Sequence, residues 1–245
     1  MRITLLIPLL CVTLTSNAQS DSLSTAKRSA YMTKEEKAMI AEINLVRSDP
    51  QGYVKYIMPL LAEAEKTLSS YGKGGKNYSL TTTTTTQNGR NIKTVDTTWH
   101  FINDENVKAL KSLINDLRGS KKLSVLQPDS GIYLAAKKHA ADQHSHEWTL
   151  SHTGSDGSNP WDRIQNFSPS MSEGNENIAM IGGTPSVREI VILLLVDAGI
   201  PGYGHRYNML DPNWTHCACT ADNFKGMYYW WLQEFGTMRS KEKRR

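Results

Sequence analysis

Helix-type patterns fill most of this chain and strand-type patterns come late, and that order limits the fold. Apolar residues recur at helical spacing in five segments between Thr33 and Val196. Aromatic, strand-type composition follows near the end of the chain, at Tyr228–Leu232. Because the sequence contains no glycine-rich phosphate loop, a doubly wound nucleotide-binding fold is not expected. Helices followed by short strands predict a mixed α+β domain or a layered α/β/α domain.

Capping residues mark where several helices begin. Thr33 and Glu36 have the spacing of a capping box, and Asp49-Pro50 places an N-cap ahead of a first-turn proline. Thr184-Pro185 repeats the second pattern ahead of Ile190–Val196, which is apolar on every side and is therefore expected to be buried all round. The five predicted helices are 33–48, one that starts at 49–50, about 104–117, about 129–143 and 184–196.

The N-terminus has the order of a secretory signal peptide. A basic residue, Arg2, precedes the apolar run Ile3–Leu14, and small and polar residues follow up to Ala18. We expect residues 1–18 to be a signal peptide, followed by a polar leader at 19–31. The apolar run is too short for a permanent membrane anchor. The sequence therefore predicts an exported protein, secreted or periplasmic, with no transmembrane anchor once the signal is removed.

The charge balance does not point to a nucleic-acid partner. The formal net charge is only +4, and part of it comes from a basic tail at 237–245. A charged chain end is more often solvated than bound to a partner. With the tail and the leader set aside, a domain of 32–236 remains, which is long enough for one sizeable core.

Residues 71–98 differ in kind from the rest of this domain. They contain a glycine-rich link, an unbroken threonine run at Thr81–Thr86 and the turn dipeptide Asn88-Gly89 between β-branched residues. We interpret the segment as an insertion that is either an exposed β-hairpin or partly disordered. The Asn-Gly turn favours the hairpin.

Two cysteines remain beyond the signal peptide, Cys217 and Cys219. A disulfide between residues two apart would be strained, and a single Cys-x-Cys is weak evidence for zinc. We interpret the pair as two side chains on the same face of a strand, with a functional thiol pair as the alternative.

Two histidines and two acids stand out as candidates for chemistry. His152 follows the end of a helix in a turn-rich stretch, and Glu176 lies just ahead of the apolar Ile178. Asp197 ends the apolar helix, and His205 follows it in a glycine-rich loop. Each of the four has an ordinary structural explanation, as a hydrogen-bonded histidine or a capping acid. Together they could bind a divalent ion or perform acid–base work.

Several motifs in a fixed order resemble the CAP superfamily (also called SCP or PR-1-like), above all its bacterial SCP-like extracellular branch. They are Ser151-His-Thr-Gly154, Glu176-Asn-Ile-Ala179, Gly204-His-Arg-Tyr-Asn208 and Tyr229-Trp-Trp-Leu-Gln-Glu-Phe-Gly236. The leading segment Ala41–Pro50 is also similar to the first helix of those proteins. The resemblance spans about 32–236, apart from the threonine-rich insertion.

The resemblance implies a three-layer α/β/α sandwich with a central, largely antiparallel sheet and an open cleft where two histidines and two acids converge. Matched residue by residue, that tetrad would be His152, Glu176, Asp197 and His205, with Asp197 standing where many relatives have glutamate. Two imidazoles can ligate a divalent transition metal. We therefore expect His152 and His205 to bind an ion such as zinc weakly, with the two acids orienting the rings.

Three functions are compatible with such a domain. The resemblance implies secreted proteins that bind lipids, sterols, ions or other proteins, so the expected partner is a small apolar or lipid-like ligand or another surface protein. The alternative is a metal-dependent hydrolase, a peptidase or esterase, in which the tetrad is catalytic and Glu176 serves as base. The third is a structural envelope protein with an idle cleft. No Gly-x-Ser-x-Gly or His-Glu-x-x-His motif in the sequence independently supports an enzyme.

Overall fold

A computed structural model of the chain describes residues 21–240 except 72–75, 88–89, 147–149, 183 and 225–227. The signal peptide expected at 1–18 lies outside the described residues. Within them a short 3₁₀ helix covers Thr25–Arg28, and the α-helices are α1 (Lys34–Ser48), α2 (Pro50–Tyr71), α3 (Asn103–Gly119), α4 (Ser130–Ser145), α5 (Pro160–Phe167), α6 (Val187–Val196) and α7 (Gly204–Met209). The strands are β1 (Lys76–Gln87), β2 (Arg90–Ile102), β3 (Gln127–Pro128), β4 (Met171–Gly182), β5 (His216–Phe224) and β6 (Tyr228–Met238).

Helices α1 and α2 begin where their capping residues predict. The Thr33 hydroxyl accepts a hydrogen bond from the backbone N–H of Glu36 (3.2 Å), and the Glu36 carboxylate accepts one from the N–H of Thr33 (2.8 Å). The Asp49 carboxylate accepts a hydrogen bond from the N–H of Gly52 (3.3 Å), and Pro50 opens α2. The predicted capping box and the predicted proline start are both confirmed.

A four-stranded sheet forms the centre of the fold, with the strand order β3-β5-β6-β4. Strands β5 and β4 both pair antiparallel with β6, and the two-residue strand β3 runs parallel to β5. Helices α4 and α5 pack against the sheet on one side, and α1 packs on the other with α6 beside it. The fold is therefore the predicted three-layer α/β/α sandwich with a largely antiparallel sheet, and β4 lies at one edge.

Alternation along β6 supplies side chains to both helical layers. Trp230 packs with Ala136 and Ala140 of α4, whose small side chains let that helix approach the sheet closely. Gln233 points the other way and donates a hydrogen bond to the sulfur of Met39 in α1 (3.3 Å). We call the two sides of the sheet the α4 face and the α1 face.

The threonine-rich insertion contains an antiparallel strand pair. Strands β1 and β2 pair with each other in a separate two-stranded sheet, and their register runs from Lys76 opposite Ile102 to Gln87 opposite Arg90. The strand pairing that the hairpin alternative predicts is therefore confirmed, and the turn expected at 88–89 lies outside the described residues. Because the hairpin joins α2 to α3, the insertion leaves the four-stranded sheet uninterrupted.

Several local features differ from what the sequence predicts. Neither α5 nor α7 is predicted, and His205 lies in the short helix α7 rather than in a loop. Glu176 lies within strand β4, which the sequence analysis does not predict. Helix α6 is capped by Ser186, whose hydroxyl accepts a hydrogen bond from the N–H of Glu189 (3.3 Å), and not by Thr184. Ser186 is the cap because Glu189 completes a capping box by accepting from the N–H of Ser186 (2.6 Å).

Cys217 and Cys219 are buried free cysteines in β5. They lie two residues apart on one strand and so share a face of the sheet. Burial raises the pKa of the Cys217 thiol to about 12, so the thiol stays protonated and unreactive at neutral pH. The interpretation of Cys-x-Cys as two same-face strand side chains is confirmed.

The close approach of α4 to the end of α5 can be tested at Gly131. A methyl group there would overlap the carbonyl oxygen of Phe167 and lie 2.7 Å from Cβ of Ser168. We expect Gly131→Ala to lower the free energy of unfolding by about 1–3 kcal/mol in urea denaturation. The control is Gly119→Ala, since nothing lies within 4 Å of a methyl group at that position. It should be neutral or stabilise by up to about 1 kcal/mol, and equal losses in the two variants would contradict the packing.

Candidate functional site

His152 and Glu176 form the first of two histidine–acid pairs. The Nδ1 atom of His152 lies 2.9 Å from Oε1 of Glu176. Glu176 lies on β4 opposite Glu234 of β6, and its side chain is fully buried, whereas the His152 side chain is 55% exposed. A carboxylate can only accept a hydrogen bond, so Nδ1 of His152 carries the proton. The Nε2 lone pair is then the one available to a ligand.

Arg163 of α5 supplies a positive charge beside Glu176. Its Nη2 donates to Oε2 of Glu176 (2.8 Å), and its Nη1 donates to the backbone carbonyls of Ser158 (2.8 Å) and His152 (3.2 Å). Arg163 is only 1% exposed. A buried carboxylate requires such a partner because an unpaired charge in the interior is strongly destabilising. Arg163 therefore holds both the acid and the main chain of its histidine.

Asp197 and His205 form the second pair. Asp197 follows the last residue of α6 with a φ of 54°, a left-handed conformation that Asp tolerates better than most residues other than glycine. Its Oδ1 lies 2.7 Å from Nδ1 of His205, and its Oδ2 accepts a hydrogen bond from the backbone N–H of His205 (3.0 Å). The Asp197 side chain is buried and that of His205 is 22% exposed. The carboxylate thus fixes both the ring and the main chain of His205.

Arg206 fixes the end of α6 just ahead of Asp197. Its Nε donates to the carbonyl of Leu195 (2.6 Å), and its Nη2 donates to that of Val196 (2.9 Å). Such last-turn carbonyls have no partner within the helix. Arg206 also forms an ion pair with Asp116 (2.8 Å). Each histidine–acid pair is therefore backed by a buried arginine, which holds the acid itself in the first pair and the preceding backbone in the second.

Asn177 ties the second pair to the strand that carries Glu176. The Asn177 amide donates a hydrogen bond to the carbonyl of His205 (3.1 Å), and its Oδ1 accepts one from Asn208 (2.9 Å). Because Glu176 and Asn177 are neighbours on β4, their side chains point to opposite faces of the sheet. The two pairs are thus attached to adjacent residues of one edge strand, the first from the α4 face and the second from the α1 face.

The donor chemistry of the two rings fits a divalent transition metal. Both imidazoles engage a carboxylate through Nδ1, which orients the ring and leaves Nε2 for a ligand, as in many metal-binding histidines. Among the residues that the structure describes, no three or more His, Cys, Asp or Glu side chains form a group that could hold a metal ion. An ion shared by His152 and His205 would have to lie at the edge of β4, between the two faces of the sheet. It would take its remaining ligands from water, which favours weak and exchangeable binding.

Glu234 adds a second buried carboxyl group behind the first pair. It is fully buried on the same face as its cross-strand neighbour Glu176, and neither of its carboxyl oxygens has a hydrogen-bond partner among the described residues. Burial raises the pKa of Glu234 well above its usual value, the charge of Glu176 raises it further, and Arg163 opposes the rise. Burial therefore favours the neutral, protonated form of Glu234 beside the Arg163–Glu176 ion pair.

His139 of α4 supports the residue before His152. Its Nε2 lies 2.8 Å from the carbonyl oxygen of Ser151 and 3.7 Å from Oε1 of Glu176. Burial lowers the pKa of His139, although the charge of Glu176 opposes the shift. The neutral ring therefore donates its Nε2–H to the carbonyl oxygen of Ser151 and fixes the backbone next to His152.

The structure places each predicted histidine beside one predicted acid, His152 with Glu176 and His205 with Asp197. Whether the four residues act as a catalytic tetrad stays a prediction. Sequence reasoning missed the buried groups around them, among which are Arg163, Arg206, Glu234 and His139. Arg206 and Glu234 lie inside motifs that the sequence analysis singles out, so the motifs could have drawn attention to them.

A cavity of about 780 Å³ lies between α2, α3 and α6, and none of the four candidate residues lines it. The half-buried Leu193 faces it, so the expectation that α6 is buried on every side is wrong on this face. The lining is mostly apolar. Its described residues are Tyr56, Leu60, Glu63, Ala64, Thr67, Asn106, Leu110, Ser186, Arg188, Glu189, Ile192, Leu193, Val196 and Ala198.

The model of the CAP family, described as the cysteine-rich secretory protein family, matches residues 111–235. The matched segment contains both histidine–acid pairs and all of the four-stranded sheet except the last residues of β6. The chain belongs to the CAP family.

Two solved structures are similar to parts of the chain. An outer surface protein from Borrelia burgdorferi is 21% identical over 57% of this chain and 98% of its own, with a TM-score of 0.42. An extracellular protein containing a SCP domain from Bacillus anthracis is 17% identical over 59% of this chain and 46% of its own, with a TM-score of 0.39. Comparison with curated protein sequences finds no match. In the described part of the chain, no helix is long and apolar enough to cross a membrane.

The protonated state of Glu234 predicts how stability depends on pH. The unfolded state releases this proton above about pH 4.3, whereas the folded state keeps it to a higher pH. The folded state thus binds more protons over that interval, and the free energy of unfolding falls as pH rises, by up to about 1.4 kcal/mol per pH unit. The side chain at position 234 cannot titrate in Glu234→Gln. The free energy of unfolding of this variant should therefore rise relative to that of wild type as pH rises.

The measurement is urea denaturation at several pH values for wild type, Glu234→Gln and the control Glu173→Gln. Glu173 is an exposed acid on the same strand as Glu176, so its loss should leave the pH dependence of wild type in place. Parallel stability curves for wild type and Glu234→Gln would show that Glu234 is ionised in the folded protein.

Proposed function

We propose that this chain is an exported CAP-domain binding protein with two binding elements, a weak divalent-metal site at His152 and His205 and an apolar cavity between α2, α3 and α6. The signal-peptide pattern of residues 1–18 and the secretory description of the family support export. The observation that carries the metal site is that both imidazoles engage a buried carboxylate through Nδ1.

A binding role fits the geometry of the acids better than hydrolysis does. A general base needs a carboxylate oxygen within reach of a water molecule. Glu176 is fully buried and offers Oε1 to His152 and Oε2 to Arg163, and Asp197 uses both of its oxygens on His205. The acids therefore orient the imidazoles, and the imidazole Nε2 atoms are the groups left for a ligand.

The cavity supports a small apolar or lipid-like ligand as the second partner. Its volume of about 780 Å³ falls within the roughly 300–1,000 Å³ of small-molecule sites. Two of its polar lining residues, Glu63 and Glu189, are acidic. The cation Arg188 is held by Glu42 through two hydrogen bonds of 2.7 and 3.1 Å. An anionic head group would meet two carboxylates and a cation already paired, so the favoured ligand is uncharged.

Zinc titration by calorimetry tests the metal site. We expect a weak binding isotherm for wild type and at least a tenfold loss of affinity in His152→Ala and in His205→Ala, because each substitution removes one of two protein ligands. The matched control is His144→Ala, which removes an exposed histidine that forms an ion pair with Asp222 (3.6 Å). Equal heats for all four proteins would remove the metal from the proposal.

The apolar cavity is tested by filling it. Leu193→Trp should occupy part of the cavity and lower the affinity for the uncharged fluorophore N-phenyl-1-naphthylamine about tenfold, or about 1.4 kcal/mol. Leu134→Trp is the control, since Leu134 is an exposed leucine on α4, away from the cavity. The anionic probe anilinonaphthalene sulfonate should bind wild type more weakly than the uncharged one. Unchanged affinity in Leu193→Trp would show that the probe binds elsewhere.

A further inference from the structure

The ring of His152 is exposed, whereas the backbone around it is held by several hydrogen bonds. His139 and Arg163 fix the carbonyl oxygens of Ser151 and His152 from two different helices, α4 and α5. The N–H of Ser151 also donates to the side-chain oxygen of Gln143 (3.3 Å). The chain is therefore anchored on both sides of the peptide bond that leads into His152.

Arg163 closes a ring of contacts around His152. One guanidinium nitrogen holds the main chain of His152, another holds Glu176, and Glu176 in turn accepts the Nδ1 proton of His152. The planar fork of arginine suits this bridging because it presents several N–H groups in fixed directions. With Glu234 neutral, the buried charges in this cluster are one cation and one anion, Arg163 and Glu176.

Stability alone does not account for this buried cluster. A buried ion pair is seldom more stabilising than apolar side chains of similar volume. The cluster also contains buried polar atoms without hydrogen-bond partners among the described residues, which are Nδ1 of His139, Nε of Arg163 and both carboxyl oxygens of Glu234. Unsatisfied atoms of this kind are unfavourable, so they add no stability to the cluster.

We propose that Arg163 is a positioning residue for His152, which it holds through Glu176 as the Nδ1–H tautomer with Nε2 directed to solvent. The proposal deepens the metal-binding function proposed above, since that function needs an Nε2 lone pair on His152. The tautomer is nevertheless a property of the protein without an ion, so it can be measured independently.

The test is a long-range ¹H–¹⁵N correlation spectrum of the histidine side chains, recorded on the metal-free full chain at a pH where the imidazoles are neutral. Wild type should show His152 as Nδ1–H alone. In Arg163→Gln the Nδ1–H signal should give way to a mixture in which Nε2–H predominates, because the carboxylate no longer has its cation or its fixed position. Zinc affinity should fall about tenfold in the same variant.

Two further variants separate positioning from general damage to the fold. Lys111→Gln removes a different ion pair, with Glu65 (2.7 Å), and should leave the His152 tautomer as in wild type. Arg163→Lys keeps the charge, but a single ammonium group cannot hold both the His152 carbonyl and Glu176. It should therefore show an intermediate Nδ1–H fraction, and it decides the question if Arg163→Gln does not fold.

The outcomes distinguish this proposal from the metal site itself. If His152 stays entirely Nδ1–H in every folded Arg163 variant, the positioning role is overturned, even if wild type binds zinc. If the tautomer responds to Arg163 while wild type shows no zinc binding, the positioning role stands and the metal site is wrong.

Discussion

The side chain of Glu176, buried in an edge strand and paired with Arg163, is the constraint on which the site depends. A carboxylate there needs a cation, which fixes Arg163 and therefore the position of α5 against β4. The capping box of Asn159 and Asp162 around Pro160 starts α5 at the turn that brings Arg163 inward. Because Arg163 also holds the carbonyl of His152, the same ion pair sets the loop that carries the histidine.

The two histidine–acid pairs reach the same ring geometry by different routes. Glu176 extends from a regular strand and pairs with the buried Arg163. Asp197 is shorter and lies at a helix end, where a left-handed backbone turns its carboxylate toward both the N–H and the ring of His205. A longer side chain is unnecessary there, because the loop with positive φ at Gly199 and Gly202 already brings His205 back to the helix end.

The sequence predicts those parts of the fold that are encoded locally. The Thr33–Glu36 capping box and the Asn-Gly hairpin depend on neighbours in the chain, and both are found. Helix α5 could have been predicted in the same way, since Asn159-Pro160 followed by Asp162 is a helix start signal of the same kind. The burial of Arg163 and Arg206 could not be predicted from the sequence. No local pattern distinguishes a solvent-exposed arginine from one that tertiary packing brings together with a carboxylate. The resemblance to a family singled out the four residues that the structure joins in two histidine–acid pairs.

The cavity and the second pair share one short segment at the end of α6. Val196 and Ala198 line the cavity, and Asp197 between them turns away to hold His205. This segment has little freedom to adapt, because Arg206 clamps the carbonyls of Leu195 and Val196 and is itself fully buried. The wall of the cavity is therefore already formed before any ligand arrives, and a change that displaces it must also move the acid of the second pair.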